Sequence, residues 1–137
     1  MNPFLGTWIA NIEKSRRHAN HQFQSATLKF EISGDVLSLT HGGVNMAGKH
    51  ESGTTVLKVD GLDHPVSPQA PGVVVATRWV GAHLLEMVSK KDRHAVGSGS
   101  YEVSDDGITL TATVAGTDAA GARFEQVIVF ERGAWEV

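Results

Sequence analysis

The chain contains no cysteine, which excludes disulfides, thiolate zinc sites and cysteine nucleophiles together and is compatible with a reducing compartment. It also lacks charge of one sign. Twelve Lys and Arg stand against fifteen Asp and Glu, for a net charge of -3, so the surface carries none of the single-sign field that nucleic acid or an anionic membrane requires. Long apolar runs are missing too. The longest uncharged one, around residues 73–76, is strand-sized and cannot cross a bilayer as a helix. Met1-Asn2-Pro3 leads straight into Phe4-Leu5-Gly6 with no basic segment ahead of an apolar one, so no secretory signal is read and a cytoplasmic location is expected. Proline is scarce, and three of the four cluster at Pro65, Pro68 and Pro71. Unable to donate ladder hydrogen bonds, they predict an irregular loop at a barrel rim.

What remains is a rhythm. Short alternating segments recur at roughly ten- to thirteen-residue spacing, separated by Gly- and Asp-containing turns, which predicts an all-β sandwich or barrel. About ten strands are expected, near residues 6–12, 25–33, 36–41, 50–59, 63–66, 73–79, 83–90, 94–103, 108–114 and 122–132. In the second, Leu28, Phe30 and Ile32 share one face while Thr27, Lys29 and Glu31 share the other. A helical turn or two fits only near residues 15–22. Residues 1–137 form one domain, large enough to bury roughly two-thirds of the surface its unfolded chain exposes. Because neighbours are joined by short turns, the expected architecture is a closed up-and-down antiparallel barrel. Pairing the first strand with the last would remove the exposed edges. A two-layer sandwich, which normally needs long crossovers, is the alternative.

Gly6-Thr7-Trp8 on the first strand resembles the Gly-x-Trp signature of the lipocalins and their calycin relatives. The longer run from Gly6 to Ser15, the Asp60-Gly61 turn with Asp63 and Pro65-Val66, and the ending Val129-Phe130-Glu131-Arg132 resemble a family of small bacterial lipocalin-like proteins, many of unassigned function. The resemblance implies that Trp8 plugs the narrow end of the barrel and that Arg132 covers its indole face, a cation–π contact of about 0.5 to 2 kcal/mol. Two departures stand out: members are often exported, and the aromatic common near the proline turn is His64 here. The family pattern supplies no catalytic residue.

Strand parity assigns inward positions. His41 goes inward with Leu37 and Leu39, His83 with Leu85 and Met87, Tyr101 with Val103, Gln126 with Phe124, Ile128 and Phe130, and Trp79 with Val73 and Val75. An aliphatic and aromatic lining with a few convergent polar groups is the usual make-up of a small-molecule site; alternatively, the polar groups satisfy one another or water in a filled interior. The seven histidines do not assemble a metal site by spacing. His18 and His21 share a helical face, and His41 and His50 straddle a hairpin, but zinc takes three or four protein ligands. An axial haem ligand would have only His83 as a candidate. Neither metal nor cofactor is expected.

Gly97-Ser98-Gly99-Ser100 lacks the Gly-x-Ser-x-Gly spacing of an activated serine and reads as a thin strand against which another backbone packs. Asp63-His64 would point to opposite faces. Arg78 and Glu86 are expected as an exposed ion pair. The sequence therefore favours noncatalytic binding of a small apolar or amphipathic molecule. Trp79, Leu85, Met87, Phe124, Ile128 and Phe130 would form the wall, with His41, His83, Tyr101 and Gln126 orienting the polar end. A barrel isomerase, cyclase or hydrolase is the alternative, with His83 or His41 as general base and Tyr101 or Arg78 stabilising negative charge. A third reading has a solid barrel whose outer face makes a homodimer.

Overall fold

Alternation between water-facing and core-facing side chains builds every long strand. In residues 27–32, Leu28 and Phe30 are buried while Lys29 and Glu31 are exposed, and a one-residue slip would exchange those faces. The computed structural model describes residues 3–16, 23–65, 72–92, 94–117 and 121–133. Ten strands run through them: β1 (Gly6–Arg16), β2 (Phe23–Ser33), β3 (Val36–Asn45), β4 (His50–Lys58), β5 (Asp63–Pro65), β6 (Val73–Trp79), β7 (Leu84–Lys91), β8 (His94–Val103), β9 (Thr109–Thr117) and β10 (Arg123–Arg132). They form one antiparallel sheet in the order β4-β3-β2-β1-β10-β9-β8-β7-β6-β5, so the sandwich alternative is excluded. The first strand does pair with the last: Trp8 faces Arg132 and Ala10 faces Phe130.

One expectation needs correction. Closure through β1 and β10 moves the sheet edges to β4 and β5, which do not pair with each other, rather than removing them. The physical reason is local. β5 has only three residues and ends at Pro65, which has no N–H to offer a ladder. The chain crosses this gap at one end of the barrel, where the Val59 N–H donates to the Asp35 carbonyl and the Gly61 N–H to the Thr77 carbonyl. The helical turn expected near residues 15–22 is strand as far as Arg16, and no helix occurs among the described residues. Residues 17–22 and most of the proline loop, 66–71, lie outside the described residues.

Where β1 runs on, it bulges. Asn11 faces Val129 but Arg16 faces Val127, so extra residues bow out of the ladder between them. Ser15 repairs the break: its hydroxyl donates to the Asn11 carbonyl at 2.7 Å and accepts the Val129 N–H at 2.9 Å. Asn11 contributes a further bond, from its side-chain amide to Glu131 at 2.8 Å. A second bulge, near Phe23 and Ser25 of β2, brings the Ser25 backbone against Gly43, where any Cβ would strike the Ser25 carbonyl oxygen.

Candidate functional site

The two ends of the barrel are filled differently, and the difference is written along the inward-facing positions of neighbouring strands. On β3 and β4 the paired inward residues run Leu37 with Leu57, Leu39 with Thr55, His41 with Gly53, and Gly43 with Glu51. On β8 and β9 they run Val103 with Leu110, Tyr101 with Ala112, Gly99 with Val114, and Gly97 with Gly116. Side-chain bulk falls toward one end. The buried core of Trp8, Phe4, Phe30, Leu37, Leu85 and Leu110 therefore lies at the end where β1 begins and β10 finishes, each fully buried large side chain contributing about 1.5–3 kcal/mol.

That closed end has a specific lock. Trp8 is 0% exposed and its indole N–H donates to the Phe4 carbonyl at 3.0 Å. The Arg132 guanidinium sits 4.2 Å from the Trp8 ring centroid. It donates from Nη1 to Leu5 (2.7 Å), from Nη2 to Pro3 (2.6 Å) and from Nε to Gly107 (2.9 Å), all at carbonyl oxygens. Gly6 makes room for it: its φ is +113°, and a Cβ there would lie 3.0 Å from Arg132 Nη1. The Gly-x-Trp spacing thus has a physical basis, a side-chain-free residue beneath the arginine and the plug two residues on. Phe4 stacks obliquely on Phe30 and Trp79, with centroids at 5.5 and 5.2 Å.

The structure distributes the sequence-assigned lining residues between the two ends. Leu85, Ile128 and Phe130 are buried in the core, and Trp79 packs against it. His83 falls in the turn before β7 rather than in the strand, where its Nδ1 donates to the Val103 carbonyl at 3.1 Å. Tyr101 stands edge-on to Phe30 at 5.6 Å, and burial pushes its phenol pKa up. Toward the open end, a cleft of about 330 Å³ is lined on its inner side by Val75, Met87, Gly97, Gly99, Val114 and Phe124. A second, of about 450 Å³, has Ala26, Leu28, His41, Gly43, Glu51 and Gln126 in its wall. Met87, Phe124, His41 and Gln126 are thus brought to the open half, whereas His83 is held at the plugged end. The two histidines do not meet.

His41 is exposed at the rim, and its ring lies beside Gly53, where a Cβ would come within 2.9 Å of Nε2. His50, paired with Val44, sits on the other face, and no group of three or more His, Asp or Glu that could hold a metal occurs among the described residues. His18 and His21 lie outside the described residues. Ser98 and Ser100 face outward, into a groove of about 480 Å³ on the outside of the barrel that also holds Arg78 and Glu86. That pair is exposed, 67% and 38%, at 2.8 Å. Asp63 and His64 diverge: Asp63 takes Lys90 at 3.2 Å, and His64 Nε2 meets Asp60 at 2.9 Å. Parity reasoning missed one inward residue of consequence. Thr77, between Val75 and Trp79 on β6, is 1% exposed, and its hydroxyl has no hydrogen-bond partner among the described residues. Its alternation was readable, but its missing partner was not.

Solved structures share this arrangement over nearly the whole chain. A Schistosoma mansoni fatty acid binding protein, solved with arachidonic acid, is 18% identical, with 98% of each chain covered and a TM-score of 0.63. The two share one barrel fold. The chain is similar also to zebrafish ileal bile acid-binding protein complexed with cholic acid (12% identity, 96% of this chain and 99% of that one, TM-score 0.60). Rv2717c from M. tuberculosis is a third such structure (18% identity, 96% and 93%, TM-score 0.59). At these identities the likeness establishes the fold alone. No protein-family model matches the chain and no curated protein is similar in sequence, so the calycin-type architecture implied by Gly6-Thr7-Trp8 and Arg132 is met at the level of fold.

Proposed function

We propose that the chain is a noncatalytic binding protein that takes a small apolar or amphipathic molecule into the open half of its barrel, as one of the small bacterial lipocalin-like barrels. One observation carries the reading. Inward side chains shrink from Leu and Val to Gly along β8 and β9, so the half-barrel beyond the core is left unfilled by the described residues and bounded by Val75, Met87, Val114 and Phe124. Mostly apolar walls give affinity through desolvation of the guest. The fatty acid and the bile acid bound by two proteins of the same fold are molecules of this general kind. His41 and Gln126 would meet the guest's exposed part at the rim, and Tyr101 its deeper part.

Native mass spectrometry of protein purified from its own host tests this. A discrete low-mass adduct, present in the native spectrum and lost on denaturation, is expected. Apo protein that also refuses every apolar probe at micromolar concentration would contradict it.

A further inference from the structure

We infer that the guest is uncharged at its buried end, an alcohol, aldehyde or ester on an apolar chain rather than a carboxylate, and that this end seats against the Thr77 and Tyr101 hydroxyls. The inference rests on the binding reading above and deepens it. Val75 and Gly99 line the inner cleft, and Thr77 and Tyr101 are the next inward positions beneath them on the same strands. Thr77 Oγ1 is sealed from water and has no hydrogen-bond partner among the described residues, an arrangement native interiors seldom keep without a reason. Met87, cross-strand partner of Thr77, also lines the cleft, and its flexible thioether is the side chain best suited to yield to an incoming chain.

The charge on the guest follows from what surrounds those hydroxyls. Among the described Lys and Arg side chains, Arg132 is bound to three carbonyls at the plugged end, Lys90 pairs with Asp63 on the outer face, and the others are exposed. Among the described residues, a carboxylate at Thr77 would therefore be buried against neutral groups alone, with its charge uncompensated. Threonine and a phenol whose ionisation burial already disfavours match a hydroxyl or carbonyl instead, giving and taking one hydrogen bond each. The rim residues His41 and Gln126 impose no such choice, because water reaches them.

The test is displacement of diphenylhexatriene, a hydrocarbon probe, by 1-dodecanol and by laurate at neutral pH, on wild type, Thr77→Val and Thr77→Ser. Dodecanol is expected to displace the probe at a concentration at least tenfold below laurate. Thr77→Val should weaken dodecanol about fivefold while leaving the probe's own affinity unchanged, and Thr77→Ser should restore it. Without guest, Thr77→Val should raise the urea midpoint, since it removes an unpaired buried hydroxyl. Laurate equal to or better than dodecanol, or dodecanol indifferent to Thr77→Val, overturns the inference and leaves the binding reading standing. Probe refused by wild type overturns the binding reading and this inference with it.

Discussion

Gly97 on β8 lies directly opposite Gly116 on β9, so two neighbouring strands present no side chain to the interior at this level, and a Cβ on Gly116 would come within 3.2 Å of the Val96 carbonyl oxygen and 3.4 Å of the Phe124 ring. Glycine costs a strand conformational entropy and packing. Here it creates room.

Refilling that room should abolish uptake without harming the fold. Gly99 has an ordinary strand backbone, and its Cβ would meet only the Thr113 carbonyl at 3.6 Å and the Met87 methyl at 3.7 Å. Gly99→Val, β-branched and well suited to a strand, is expected to weaken an apolar probe at least tenfold while the urea midpoint stays level or rises.

The lock on the closed end predicts a large stability loss. Arg132→Met removes the cation above Trp8 and strands the carbonyls of Pro3, Leu5 and Gly107, a cost of about 2–4 kcal/mol. Arg132→Lys should recover less than half, because one ammonium cannot span three acceptors in that fork. Urea denaturation followed by tryptophan fluorescence measures both.

Tyr101 is the only tyrosine, so absorbance near 295 nm reads it alone. Burial favours its neutral form, and its midpoint in the folded protein is expected above the ordinary value of about 10, returning to that value in denaturant. The sign for stability follows: the contribution is complete below about pH 10 and is lost as pH rises through the folded pKa. Tyr101→Phe should flatten that decline in a urea-midpoint profile.

Ser15 bridges the β1 bulge to β10. Ser15→Ala leaves the Val129 N–H without its acceptor and is expected to cost about 1–2 kcal/mol, with faster hydrogen exchange at the Val129 amide.

Much of the fold was legible because barrel strands obey a period of two. Leu28, Phe30, Leu37 and Leu39 declare their face by alternation, and the glycine and aspartate turns mark most hairpins. Strand ends were less readable: β3 continues through Gly42 and Gly43 to Asn45, residues whose local preference is for turns but whose ladder to β2 and β4 holds them extended. The break between β4 and β5 has a local mark in the short β5 and its Pro65, but that these two strands become the edges depends on which strands meet after closure. For the site, parity identified inward residues but not their height along the barrel axis. His41 and His83 looked equivalent in sequence, yet one stands at the rim and the other at the plugged end. Thr77 read as an ordinary strand former, because whether its hydroxyl finds a partner depends on side chains distant in sequence.

The central claim is that the half-barrel above Tyr101 is hollow and apolar, and a fluorescence titration of Nile red against wild type and Gly99→Val tests it most directly. Saturable one-to-one binding with blue-shifted emission in wild type, at least tenfold weaker in the variant, is the predicted result. Emission that stays at its aqueous position with wild type, or binding that Gly99→Val leaves untouched, would contradict it.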